Sequence, residues 1–286
     1  PSDGNAAVTS RVELQPGPLG DLEYAQAMFG RRPFLELLAL NALGAGCSQA
    51  KDATAEPLKI AAAADLTLAF KDIGEAFEQA KGKKAVFTFG STGLLTKQIK
   101  EGAPFDVFAA ANQTYLDELI AAKAVLADSK QLYARGRIVL WTSGTTKVEL
   151  SQLSESKFSK IAIANPEHAP YGKAAAEALT KLKLWDTVKP KLVYGENVQQ
   201  ALQYAESGNA DAAIVALSLA INAKGAYSDI DDSLHEPIDQ ALGVCEISKQ
   251  KSAARDFVEY VTSEAGRAIM KQYGFLLPGE TVTVRQ

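Results

Sequence analysis

From Leu58 onward, short apolar runs alternate with longer stretches of helical period, and this alternation constrains the fold more than any other feature of the chain. Strands are expected at Leu58–Ala63, Lys84–Thr88, Asp106–Ala110, Ile138–Trp141, Lys160–Ile163, Lys191–Tyr194 and Ala212–Ala216. Helices are expected at Thr67–Ala80, Leu94–Glu101, Gln113–Ala122, Tyr171–Leu182 and Val198–Ser207, with two more at Ala253–Thr262 and Glu264–Gln272. Strand and helix in turn imply an α/β fold with mostly parallel sheets flanked by helices. At 286 residues, 47% hydrophobic and 22% charged, the chain suits one large domain or two smaller ones. No internal repeat is evident.

In such sheets ligands collect where strands end and the next helices begin. The segment Ile161 to Leu179 shows the pattern: an apolar run, two prolines framing a polar turn, Tyr171-Gly172, then an alanine-rich helical stretch. A helix start presents unpaired N–H groups and the positive end of the macrodipole, which together favour an anion. The tyrosine hydroxyl beside it adds a neutral donor. Three more junctions of this kind occur, at Ala61 to Thr67, Phe89 to Leu95 with Ser91 and Thr92, and Gly195 to Val198. Each alone reads as an ordinary capped helix. Together they predict a cleft lined by helix N-termini with almost no cationic side chains.

The net charge of -4 gives no field for holding nucleic acid. Two histidines and two cysteines, His168, His235, Cys47 and Cys245, match no zinc-ligand spacing. Residues 1–27 are rich in turn formers and read as a disordered or non-native extension. Residues 28–47 carry Arg31 and Arg32, a short apolar core and the small-residue ending Gly44-Ala45-Gly46-Cys47. That order makes an export signal, and the apolar core is too short for a stable membrane span. It resembles a twin-arginine signal ending in a lipobox, with Cys47 as the lipidated residue, although Gly44 stands where leucine is usual. The alternative is an amphipathic helix from Pro33 to Leu43 packed on the domain. Residues 48–57 read as a tether, and Cys245 as a lone buried thiol.

From Leu58 to about Leu277 the chain resembles the periplasmic molybdate-binding proteins, the substrate-binding components of molybdate ABC transporters. The matching segments include Ala-Ala-Ala-Asp-Leu-Thr from Ala62, Phe-Gly-Ser-Thr-Gly from Phe89, Asn-Pro-Glu-His-Ala-Pro-Tyr-Gly from Asn165 and Tyr-Gly-Glu-Asn-Val-Gln-Gln-Ala-Leu from Tyr194. The resemblance implies a two-lobed type II periplasmic binding protein fold whose chain crosses twice between lobes, near Tyr133–Arg137 and His235–Gln240. Lobe one is then 58–135 with 239–286, and lobe two is 136–238. The anion would sit between lobes whose closure presents it to a membrane permease. A monomer in the periplasm or at the cell surface is expected, attached to the membrane only through the lipid that the lipobox-like ending would place on Cys47.

Carried onto this sequence, the family's ligand contacts fall at Ala64 or Asp65, at Ser91 with Thr92 beside it, at Tyr171, and at the backbone N–H of Val198. Some members have another tyrosine where this chain has Ala216, and Tyr171 would take its place. Some have serine where this chain has Asp65. Molybdate, and tungstate with the same shape and charge, is a dianion at neutral pH, so its pocket should hold donors only. No separate cofactor is required. Asp65 reads as an N-cap of the following helix. The competing reading is an inward carboxylate that accepts the proton of hydrogenphosphate. His168 reads as a turn residue, and Tyr227 to Asp232 as a solvated acidic edge. Other tetrahedral oxyanions such as phosphate or sulfate, a periplasmic enzyme, and an effector-sensing domain are the alternatives. The sequence contains no nucleophile elbow, P-loop or dinucleotide fingerprint, and no basic helix-turn-helix segment.

Overall fold

A computed structural model describes residues 56–281. The extension, the export signal with Cys47 and most of the tether lie outside the described residues. The strands are β1 (Leu58–Ala63), β2 (Ala85–Gly90), β3 (Val107–Ala110), β4 (Gln131–Gly136), β5 (Ile138–Thr142), β6 (Ile161–Ala164), β7 (Leu192–Gly195), β8 (Ala212–Ala216), β9 (Ala226–Asp229) and β10 (Ile238–Val244). The helices are α1 (Thr67–Lys81), α2 (Thr92–Lys100), α3 (Gln113–Ala121), α4 (Pro170–Lys181), α5 (Trp185–Val188), α6 (Val198–Glu206), α7 (Leu217–Ala220), α8 (Lys251–Thr262) and α9 (Glu264–Gln272).

The strands form two five-stranded sheets, ordered β2-β1-β3-β10-β4 and β7-β6-β8-β5-β9. Each sheet with its helices makes one α/β lobe, the two-lobed arrangement that the resemblance implies. In each sheet a central strand pairs in parallel with two neighbours: β1 with β2 and β3, and β6 with β7 and β8. The remaining pairings, of β10 with β3 and β4 and of β5 with β8 and β9, are antiparallel. The sheets are thus mixed rather than mostly parallel, because β5 and β10 enter each lobe from the other and run back along it. The two lobes share one strand pattern although the sequence carries no repeat.

Central strands are buried on both faces, which is why β3, β6 and β8 read as unbroken apolar runs and β1 is interrupted only by the exposed Lys59. Helix ends follow local chemistry. Asn112, Asn197 and Ser263 cap α3, α6 and α9 through their side chains. Pro170 opens α4, where its missing N–H costs nothing. Gly82, at φ +67°, closes α1 in the left-handed region. An aromatic cluster fills lobe one: Phe77 meets Phe257 edge-on at 5.2 Å and Tyr260 at 5.6 Å, and Phe70 lies 6.0 Å from Tyr133.

The chain passes from the first sheet to the second through the single residue Arg137, between β4 and β5, and returns between β9 and β10. The passages lie side by side, since β4 pairs with β10 up to Gly136 and Ile238, and β5 with β9 up to Val139 and Asp229. Ion pairs tie them, Arg135 Nε to Asp239 Oδ1 at 2.7 Å and Arg137 to Asp229 at 2.8 Å. The segment read as a solvated acidic edge is partly strand β9, with Ser228 and Ile230 buried. Cys245 is a buried free thiol whose pKa burial pushes up to about 12.

Candidate oxyanion site between the lobes

Because both sheets have the same pattern, the ends of β1 and β2 face those of β6 and β7, and the helices that follow start at one seam. Between them lies a cavity of about 10 Å3, lined by Ala64, Asp65, Ser91, Thr92, Tyr171 and Val198. Alanines, glycine, Pro170 and Asn197 complete the wall, so among the described residues no lysine or arginine lines it. That is room for little more than one water-sized sphere, far below the ~300–1,000 Å3 typical of sites for organic ligands.

Three helix starts reach the cavity: Thr92 of α2, Tyr171 of α4 and Val198 of α6. Neither α2 nor α4 has a side-chain cap, so the N–H groups of Thr92 and Tyr171 keep the unpaired character of a helix start. In α6, Asn197 Oδ1 accepts from Gln200 N–H, two positions beyond Val198. Thr92 Oγ1 accepts from Ala111 N–H at 3.1 Å, and among the described residues its own proton has no acceptor. The cavity is therefore rich in donors without formal positive charge. The glycine in the first turn of α4 has a packing cause: a Cβ at Gly172 would stand 2.0 Å from Ala164 O of β6.

Asp65 sits in a 3-10 turn between β1 and α1, fully buried, and is not an N-cap. The cap positions there belong to Ala63 and Leu66, and neither makes a side-chain cap. The carboxylate turns toward the other lobe instead. Its Oδ2 accepts from Tyr171 Oη at 2.8 Å and from Gln240 Nε2 at 2.6 Å. Gln240 is held in that orientation by Tyr133, whose hydroxyl donates to Gln240 Oε1 at 2.7 Å. Asp65 Oδ1 is buried and has no partner among the described residues. Burial raises the Asp65 pKa to about 6, against the hydrogen bonds from Gln240 and Tyr171. Burial, together with the neighbouring carboxylate, drives the Tyr171 and Tyr133 hydroxyls well above their ordinary range, so both stay neutral.

The Tyr171 hydroxyl proton thus goes to Asp65, and what Tyr171 leaves for an anion is its N–H. Ser91 is engaged across the seam as well: Oγ donates to His168 O at 2.7 Å and lies 2.8 Å from His168 Nδ1. Gly93 N–H also donates to His168 O, at 2.9 Å. Two further bonds cross between the lobes, Ser218 Oγ to Asp65 O at 2.7 Å and Thr67 Oγ1 to Gln199 Oε1 at 3.0 Å. The lobes are closed on one another. Sequence reasoning missed Gln240, Tyr133 and Ser218, which no local motif marks, and saw His168 only as a turn.

Two α/β lobes joined by paired strands, closing on a small donor-lined cavity, define a solute-binding protein that encloses its ligand. The family model for bacterial extracellular solute-binding proteins matches residues 58–276. The chain is 37% identical over 240 residues to the molybdate-binding protein ModA of Azotobacter vinelandii, covering 82% of this chain and 95% of that one. It is 34% identical over 252 residues to the putative ABC transporter substrate-binding lipoprotein YvgL of Bacillus subtilis, covering 85% and 96%. The solved structure of the Azotobacter vinelandii periplasmic molybdate-binding protein superposes with a TM-score of 0.74 at 30% identity, over 77% of this chain and 99% of that one. The chain belongs to the bacterial extracellular solute-binding proteins, and within them to the family of molybdate-binding proteins.

Proposed function

We propose that this protein captures molybdate outside the cytoplasm, encloses it at the seam between the lobes and delivers it to the permease of an ABC transporter. The observation that carries this reading is the convergence of three helix starts on a buried cavity without a cationic side chain. A dianion needs donors, and hydrogen bonds to a charged group contribute roughly 1.5–3 kcal/mol each. About five to seven of them support micromolar to nanomolar binding, which needs about 8–12 kcal/mol. The donors are the N–H groups of Ala64, Thr92, Tyr171 and Val198 and the hydroxyl of Thr92, with Ser91 closing the wall. They meet oxygens of the anion rather than the metal. Tungstate, with the same shape and charge, binds in the same way.

The lobes move as 58–136 with 238–281 against 138–229, and the two strand passages between them act as hinges. The protein works as a monomer, and lipid on Cys47 holds it at the membrane. A second reading is supported by the unpartnered Asp65 Oδ1, which as a carboxylate would accept the proton of hydrogenphosphate. Calorimetric titration with molybdate, tungstate, sulfate and phosphate at one pH and salt separates the two. Tight binding of the first two with weak sulfate and phosphate is expected. Preference for phosphate would move the protein to another uptake system, and binding of none of the four would sink the reading.

A further inference from the structure

Asp65 places a carboxyl group in a cavity otherwise built to attract a dianion. It is fully buried, its two oxygens are treated differently, and the difference has a chemical meaning. Oδ2 accepts two hydrogen bonds, from Tyr171 Oη and Gln240 Nε2, as the carbonyl oxygen of a carboxylic acid would. Oδ1 has no partner among the described residues, in a side chain that lines the cavity. An ionised carboxylate there would be an unpaired acceptor against an anion, which is costly in a buried site. A hydrogen on Oδ1 turns the same atom into a donor.

We propose that Asp65 meets the bound dianion as a neutral carboxylic acid, its Oδ1–H donating to one anion oxygen, so that capture of the anion takes up one proton. This inference rests on the molybdate reading above. The proton comes from hydronium or a buffer acid in the solvent: the bond to hydrogen in that acid breaks as one O–H bond forms at Oδ1, the conjugate base stays in solution, and the anion stays a dianion. Tyr171 and Gln240 hold Oδ2 as the acceptor, and Tyr133 fixes Gln240 so that its amide nitrogen faces the acid.

The groups that face Asp65 leave it as the titrating member of the cluster. From α4 and β4 come Tyr171 and Tyr133, both neutral hydroxyls. From β10 comes Gln240, and from α7 comes Ser218, whose hydroxyl bonds the Asp65 backbone oxygen. Among the described residues Asp65 is the one charged residue type in the cavity wall. His168, at the rim, bonds to Ser91 rather than to Asp65. A raised pKa, about 6, agrees with an acid that changes its protonation in the working range.

The test is proton counting: calorimetric titration with sodium molybdate in buffers of different ionisation heat, for the native chain and for Asp65→Asn. The asparagine keeps an acceptor for Tyr171 and Gln240 and a donor for the anion, without a titratable proton. For the native chain, uptake of about one proton per anion is expected at pH 8 and about half at pH 6, with affinity falling about tenfold per pH unit above 7. Asp65→Asn should take up none and bind with a flat pH profile. Tight binding by the native chain without proton uptake at pH 8 would overturn the inference alone, whether or not the variant folds. Uptake that persists in Asp65→Asn would assign the proton elsewhere and overturn it too. Absence of binding at every pH would remove the molybdate reading and this inference with it.

Discussion

Tyr171 Oη and Asp65 Oδ2, residues 106 apart in the chain and on opposite lobes, are 2.8 Å apart in a buried hydrogen bond. The bond joins the helix proposed to supply one anion donor to the turn that supplies the cavity's carboxyl group. Tyr171→Phe removes it while keeping the ring's packing, and leaves Asp65 Oδ2 with Gln240 alone. A buried partner left short costs about 1–3 kcal/mol, so anion affinity should fall about tenfold to a hundredfold. Calorimetry on the variant checks this, and unchanged affinity would mean that the bond plays no part in closure.

Gly93 touches the opposite lobe with its backbone. A Cβ there would stand 2.7 Å from His168 O and 2.9 Å from His168 Cβ, where Gly93 N–H now donates. Gly93→Ala should hold the lobes apart and weaken binding by about tenfold, equivalent to about 1.4 kcal/mol. The melting temperature without ligand should change less, because neither lobe's core is disturbed. X-ray scattering with and without molybdate checks it: the compaction on binding should shrink in the variant.

Gly136 ends β4 at the first passage between lobes, and a Cβ would lie 2.0 Å from Tyr171 Oη and 3.0 Å from Gln240 Nε2. Gly136→Ala therefore strikes the same cluster from the hinge side. Its effect on affinity should be at least as large as that of Tyr171→Phe, and the two should be non-additive, since both act through one hydroxyl. A double-mutant cycle measured by calorimetry checks the coupling.

Asp65 also makes the stability of the ligand-free protein depend on pH. Its pKa is raised from 3.8 to about 6 in the folded state, so the folded protein holds a proton that the unfolded chain has released. Stability from this group is fully present below 3.8 and is lost as pH rises through 6, by an amount of order 3 kcal/mol at 1.36 kcal/mol per unit. Asp65→Asn should melt higher than the native chain at pH 8 and much closer to it at pH 4. Denaturant titrations at the two pH values check the sign.

The parts of the fold legible in the sequence are those whose local pattern decides them. Strand β8 is buried along its whole length and β1 along all but Lys59, and both lie where the pattern puts them. Strand β4, Gln-Leu-Tyr-Ala-Arg-Gly, and β9, Ala-Tyr-Ser-Asp, are sheet edges with mixed faces and carry no such signal. Strand β10 hides a fully buried glutamine that looks like a surface residue until its partners are known. The same limit governs the site. Helix starts at Thr92, Tyr171 and Val198 are written locally, in glycines, prolines and hydroxyl residues. The direction of Asp65 is not: its partners Tyr171 and Gln240 lie 106 and 175 residues away, and local chemistry favoured a cap that the turn does not make.

The central claim is that a molybdate ion sits in the cavity at the seam between the lobes. Anomalous diffraction at the molybdenum absorption edge from crystals of the complex tests it most directly. One strong peak is expected among Asp65, Thr92, Tyr171 and Val198, with the anion oxygens within about 2.7–3.2 Å of their donors. A peak outside that cavity, or a lysine or arginine brought to the anion, would contradict it.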